Sequence, residues 1–159
     1  VAKTDSFIAT LIPRDRFRLS VKEADMQCDH SLSYANHSSP SATAILLDRL
    51  FTDSILSPQS QNFICDALKH CATGNDRISA PLVGKTGVTI AHKTGSGYIN
   101  ERDELVAHND AAIVTLPDGR HYTIVVFVKD FRGDEQSASS IISRISSVTY
   151  DFINQPRCK

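Results

Sequence analysis

The stretch Ala91-His92-Lys93-Thr94-Gly95-Ser96-Gly97 closes an apolar run, and its reading decides how the rest of the chain is understood. A lysine followed by Thr-Gly at the end of an edge strand has a clear physical use. The ammonium and hydroxyls can hold a carboxylate, while the strand backbone pairs with an amide as an added strand would. Glycine at 95 lets that backbone approach closely. The tripeptide is short, and it occurs twice. Lys85-Thr86-Gly87 follows Gly84 in a turn ahead of the strand, where it has no edge to present. Lys85 is therefore read as a solvated loop lysine. Lys93 taken alone serves equally well as an exposed strand lysine, so its surroundings must decide.

Those surroundings read as sheet. Residues 88–94 form one strand, 111–116 a second and 122–129 a third. Pro117-Asp118-Gly119-Arg120 between the last two is a turn with a mechanism, since Pro presets φ and Gly tolerates positive φ. The result is an antiparallel hairpin. Its strands are apolar on both faces, so both faces should be covered. Ile141, Ile145, Val148 and Phe152 give a terminal helix to cover one of them. Upstream, Ser39-Pro40 and Ser57-Pro58 each supply an N-cap with Pro at the first helical position. The first helix carries the stripe Ala42, Ile45, Leu46, Leu50 and Phe51. The second carries Phe63, Ile64, Ala67, Leu68 and Cys71, with Gly74 as its stop. Phe7, Ile8, Leu11 and Ile12 share a helical face that Pro13 ends. The class expected is mixed α/β, an α+β sandwich with helices covering an antiparallel sheet. Residues 1–83 form part of a helical domain, and residues 84–159 supply C-terminal strands and a terminal helix.

Composition narrows the function. Apolar residues make up 41% and charged residues 22%, the balance of an ordinary globular domain. A net charge of -1 gives no pull toward nucleic acid or an anionic membrane. No apolar run approaches the roughly 20 residues that span a bilayer. With no Cys-x-x-Cys and no His pair at i, i+4, neither a metal nor another cofactor is expected. Cys65 and Cys71, six apart on what reads as one helix, lie about 9 Å apart along its axis and cannot bridge within it. Cys28 and Cys158 are free to pair, though nothing requires it; four unpaired thiols are the simpler reading.

Residues 14–38 show no sustained period and contain no glycine. Structureless loops of this length are uncommon in compact domains and are usually functional or disordered. Apolar anchors at Phe17, Leu19, Val21, Met26, Leu32 and Tyr34 argue that this one is packed down.

Taken together these segments resemble the class A serine β-lactamases, in particular their CfxA/PER-like branch. The resemblance runs over almost the whole chain, through Thr73-Gly74-Asn75-Asp76-Arg77-Ile78, Ala91-His92-Lys93-Thr94-Gly95-Ser96-Gly97 and Ala107-His108-Asn109-Asp110. It continues through Leu116-Pro117-Asp118-Gly119 and Val126-Phe127-Val128-Lys129-Asp130. It implies a β-lactamase/transpeptidase-like fold, a small-molecule β-lactam substrate and export to the periplasm. Residues 14–38 then correspond to the Ω-like loop. Glu23, in Lys22-Glu23-Ala24-Asp25-Met26, matches the glutamate that positions the water hydrolysing the acyl-enzyme. Gln27 stands where many class A members have Asn beside that water. Lys93, Thr94, Gly95 and Ser96 match the substrate-binding strand, and the Ser96 N–H matches an oxyanion-hole donor. Arg77 resembles the arginine supplying positive charge beneath the substrate carboxylate; without the resemblance it reads as a helix-end surface arginine. Asp29, His30 and Asn109 read as structural partners of loop and sheet.

The family's nucleophile motif, Ser-x-x-Lys, is not in the chain. The residues three before Lys22, Lys69, Lys85, Lys93, Lys129 and Lys159 are Leu19, Asp66, Leu82, Ile90, Val126 and Pro156. Ser-Asp-Asn is absent too. Both motifs belong to the N-terminal part of the family's chain. The expectation is a C-terminal portion, inactive alone, whose partner is the segment carrying the nucleophilic serine. It should leave a sheet edge and helical faces uncovered. Two alternatives stay open: part of a penicillin-binding transpeptidase, which shares Lys-Thr-Gly but lacks a deacylating glutamate, and a non-catalytic truncated homologue acting as a binding module.

Overall fold

A computed structural model of the protein describes residues 1–155; Cys158 and the side chain of Gln27 fall outside the described set. Three long strands, β3 (Thr89–Ser96), β4 (Leu105–Thr115) and β5 (His121–Phe131), form an antiparallel sheet in the order β3-β4-β5. Ahead of them come α1 (Ala2–Ile8), β1 (Phe17–Arg18), α2 (Glu23–Cys28), β2 (His37–Ser38), α3 (Pro40–Thr52) and α4 (Pro58–Lys69). Helix α5 (Glu135–Asn154) follows the sheet. Among the described residues β3 and β5 each pair on one side only. No described helix is long and apolar enough to cross a membrane.

The alternation of side chains along β4 explains the layers. Ala111 and Ile113 face α3 and α4, where Leu47, Phe51 and Leu68 pack on them and on Ala91. Ala112 and Val114 face the other way, toward Ile142 of α5 and toward Ile78 and Leu82 of the turns before β3. A third cluster of Ile8, Ile12 and Ala42, joined by Phe17 and Leu19, ties α1 and the base of the loop to α3. Each such fully buried Leu or Ile contributes about 1.5–3 kcal/mol. The helix starts hold as read: Ser39 Oγ accepts from the Ala42 N–H at 3.1 Å, and Ser57 Oγ from the Ser60 N–H at 3.3 Å.

Several expectations are corrected. The strand expected at 111–116 begins at Leu105. Asp and Asn are poor strand formers, which hid the first half of β4. The buried stripe of α5 is Ala138, Ser139, Ile142 and Ser146, while Ile141, Ile145, Val148 and Phe152 are 41%, 41%, 69% and 73% exposed. Small residues let α5 approach the sheet closely. The two serines also bond inward, Ser139 Oγ to His108 Nε2 at 2.8 Å and Ser146 Oγ to the Ile78 carbonyl at 2.8 Å. Phe63 and Ile45, placed in the upstream stripes, are exposed, and the buried residue of α3 beside Ala42 is Leu47. Helix α4 ends at Lys69, so Cys71 is not on the helix of Cys65, and Gly74 is not its stop.

Candidate active site

Gly74 instead serves the strand opposite. Its φ of 78° is one that L side chains rarely adopt, and a Cβ there would collide with the Thr94 methyl. The turns that follow carry Arg77, which is only 7% exposed. Its guanidinium lies against the end of β3: Nη1 donates to the Gly95 carbonyl at 3.2 Å and to the Asn109 carbonyl at 2.7 Å. Nη2 donates to Ser96 Oγ at 2.7 Å, while Nε is buried without a hydrogen-bond partner among the described residues, with Asp76 Oδ1 at 3.9 Å. A surface arginine is therefore the wrong reading. These hydrogen bonds hold a positive charge beside Gly95 and Ser96.

Lys93 is exposed, with Nζ on the Thr94 carbonyl at 2.6 Å. Thr94 Oγ1 lies 2.6 Å from Thr73 Oγ1, so one of these hydroxyls donates to the other beside the lysine. Gly97 admits no Cβ, because Val106 and the Ala107 backbone occupy the space. The second copy of the tripeptide lies elsewhere: Lys85 sits in the turn before β3, over the Tyr150 ring at 4.4 Å.

Glu23 opens α2, which is only six residues long. Its carboxylate is exposed, and it lines a cavity of about 380 Å³ together with Gly95, Ser96, Gly97, Tyr98 and Asn109. The fold thus brings the loop glutamate and the strand end to one cleft, with Arg77 behind it. Of the expected structural partners, Asp29 Oδ1 accepts from the Ser31 N–H at 2.9 Å, and His30 stacks on Tyr98 at 3.6 Å between ring centres.

Beneath the cleft lies a polar cluster that the sequence reading did not single out. His92 Nδ1 sits 3.1 Å and 3.2 Å from the two oxygens of Asp110, whose carboxylate also accepts from the Ile78 N–H at 3.1 Å. Asp110 is fully buried and His92 4% exposed. Cross-strand pairing of Thr94 with Asp110, together with a histidine two residues before Thr94, was the available signal. The hydrogen bond to Asp110 pushes His92 above its ordinary value of 6.5. His108, also on this side of the sheet, is pushed below 6.5, first by burial and then by the Arg77 charge. These shifts act oppositely on stability. The contribution of His92 is full below pH 6.5 and disappears as pH rises through its raised folded value. That of His108 is full above pH 6.5 and disappears as pH falls through its lowered one. Urea midpoints across pH 5–9 should therefore peak near neutrality. His92→Gln should flatten the alkaline limb and His108→Gln the acid limb; midpoints whose slopes ignore both substitutions would contradict the assignment.

Comparison with known proteins identifies the family of the chain. Residues 8–153 match the family model described as the beta-lactamase enzyme family. A β-lactamase of Phocaeicola vulgatus is 51% identical over 159 residues, covering 100% of this chain and 50% of that protein. The extended-spectrum β-lactamase PER-1 of Pseudomonas aeruginosa is 32% identical over 130 residues, 82% of this chain and 41% of that one. Among solved structures, the TLA-3 extended-spectrum β-lactamase superposes with a TM-score of 0.87 at 30% identity, over 96% of this chain and 54% of that chain. The chain spans about half the length of the curated relatives it matches. It belongs to the β-lactamase enzyme family, and within the class A members it corresponds to their C-terminal portion.

Proposed function

We propose that the protein to which these residues belong hydrolyses β-lactams through a serine acyl-enzyme, with export to the periplasm and antibiotic resistance as its setting. The observation that supports this most is the shared cleft, where the Glu23 carboxylate and the Gly95–Ser96 strand end line one cavity backed by the Arg77 guanidinium. In this reading Lys93, Thr94 and Arg77 draw in the substrate carboxylate. The Gly95 and Ser96 backbone pairs with the substrate amide, and the Ser96 N–H stabilises the tetrahedral oxyanion. Glu23 takes the proton of the attacking water. The nucleophilic serine and its base come from a segment outside these 159 residues. Residues 1–83 contribute to the helical domain and residues 84–159 to the α/β domain.

One observation favours a second reading. The structure of PBP-A superposes with a TM-score of 0.67 at 28% identity over 88% of this chain. A penicillin-binding transpeptidase would be acylated and stay acylated. A chromogenic cephalosporin and mass spectrometry of the complete protein separate the two. Rapid turnover with a transient adduct is expected, and none from the 159-residue chain alone. A penicilloyl adduct that persists without turnover would replace hydrolase by transpeptidase.

A further inference from the structure

The loop that carries Glu23 closes on itself at its base. Strands β1 and β2 pair there, and Asn36 Oδ1 accepts from the Ser20 and Val21 N–H groups at 2.8 and 3.1 Å. Asn36 Nδ2 returns a bond to the Val21 carbonyl at 2.9 Å, and the Leu19 N–H donates to Asp5 Oδ1 at 2.9 Å. These bonds fix the neck of the loop against α1 and leave its orientation over the sheet undetermined. Helix α2 cannot set it either. It has six residues, and its N-cap Lys22 makes no side-chain cap bond. A helix this short is unstable by itself.

Among the described residues, the hydrogen bonds and ring contacts from this loop to the sheet region come from residues 30–34. The His30 ring stacks on Tyr98 with 12° between planes, and Ser33 Oγ lies 3.0 Å from Tyr98 Oη. Tyr34 Oη donates to Asp130 Oδ1 at 2.5 Å, and Lys129 Nζ lies 4.7 Å over the Tyr34 ring. Both receiving points belong to the sheet and the turn beside it. Tyr98 follows Gly97, whose N–H donates to the Ala107 carbonyl at 2.7 Å, and its own carbonyl accepts from the Val106 N–H at 3.0 Å. Asp130, at the end of β5, holds a left-handed φ of 49° and is gripped by Lys129 Nζ at 3.2 Å. Aspartate tolerates that conformation better than most residues with a Cβ.

We propose that Tyr98 and Tyr34 are positioning residues: a two-point latch, His30–Tyr98 and Tyr34–Asp130, holds the loop at the distance from β3 that sets Glu23 in the substrate cleft. The inference rests on the hydrolase reading for its purpose, and on the contacts alone for its mechanics. The hydrogen bond to the Asp130 carboxylate pushes the Tyr34 phenol up to about 12.

A nitroxide on Cys28, the exposed last residue of α2, reads the loop-to-strand distance without substrate once Cys65, Cys71 and Cys158 are serine. Paramagnetic relaxation of the Ser96 and Gly97 amides should fall several-fold in Tyr98→Ala, fall less in Tyr34→Phe, and recover in Tyr98→Phe, which keeps the ring stack. Should Tyr98→Ala fail to fold, Tyr34→Phe removes a single hydroxyl and carries the same readout. Relaxation unchanged in every folded variant overturns the latch. In the complete protein, Tyr34→Phe, whose side chain lies outside the cleft, should slow hydrolysis of the acyl adduct several-fold while leaving its formation intact. A label that moves with no change in adduct hydrolysis overturns the positioning of Glu23. Because the label arm needs no catalysis, its outcome stands apart from the fate of the hydrolase reading.

Discussion

Glu23→Gln in the complete protein is expected to leave acylation by a β-lactam intact and to stall hydrolysis of the adduct, lowering turnover by roughly 10²–10⁴-fold, the usual worth of a general base. The exchange keeps the size and shape of the side chain and removes only its basicity. Its cost to folding is small. The carboxylate is exposed, and in the first turn of α2 it contributes at most about 0.3–1 kcal/mol through the helix dipole. Loss of turnover with an unchanged melting temperature therefore reports chemistry and not unfolding. Intact-mass measurement should show one β-lactam per chain persisting where the parent protein shows it only transiently. Turnover that survives unchanged sinks Glu23 as the base, and the Asp25 carboxylate on the same short helix would be the next to test.

How much of this was legible in the sequence depends on what kind of interaction decides each element. Helix starts at Ser39-Pro40 and Ser57-Pro58 were readable because a cap is a local bond between neighbours in the chain. The hairpin was readable because Pro117-Asp118-Gly119 sets the turn by backbone preference alone. Helix α5 was found but turned to the wrong face. Hydrophobicity picked Ile141, Ile145, Val148 and Phe152, whereas the sheet accepts Ala138, Ser139, Ile142 and Ser146. Side-chain size and two inward hydrogen bonds chose that face, and neither leaves a periodic apolar signal. Among the described residues α5 keeps an exposed apolar face and β5 pairs on one side only.

The site divides along the same line. Lys93, Thr94, Gly95 and Ser96 could be singled out because they are consecutive. Glu23 and Arg77 rested on the resemblance, since no spacing rule links a glutamate at 23 and an arginine at 77 to a strand at 93–96. What joins them is three-dimensional: the loop folds over the strand end, and the turn after Gly74 passes behind it. Thr73 and Asp110 escaped notice although each stood inside a quoted motif. Their partners, Thr94 and His92, lie about 20 residues away along the chain, and only the register of β3 on β4 makes Asp110 the cross-strand neighbour of Thr94.

Asp110 carries the largest expected effect on the fold. Its carboxylate is wholly buried and holds two donors at once, the imidazole of His92 and the backbone N–H of Ile78. Asp110→Ala leaves both in a dry interior, where removing one partner of a buried pair costs about 3–5 kcal/mol. Against a total stability of roughly 5–15 kcal/mol, that consumes much of the margin. Asp110→Asn keeps one acceptor oxygen and should lose less, about 1–3 kcal/mol for the single donor left unmatched. The damage should travel to the cleft, since Ile78 follows Arg77. Freeing the Ile78 N–H loosens the turn that presses the guanidinium onto Gly95 and Ser96. Urea midpoints measure the first effect, and the amide shifts of Ser96 in Asp110→Asn measure the second. His92→Ala should cost little once Asp110→Ala is present, because the buried donor that suffers from the lost carboxylate has gone with it. Costs that simply add would mean that His92 and Asp110 stabilise the sheet independently, and that the pair is no unit.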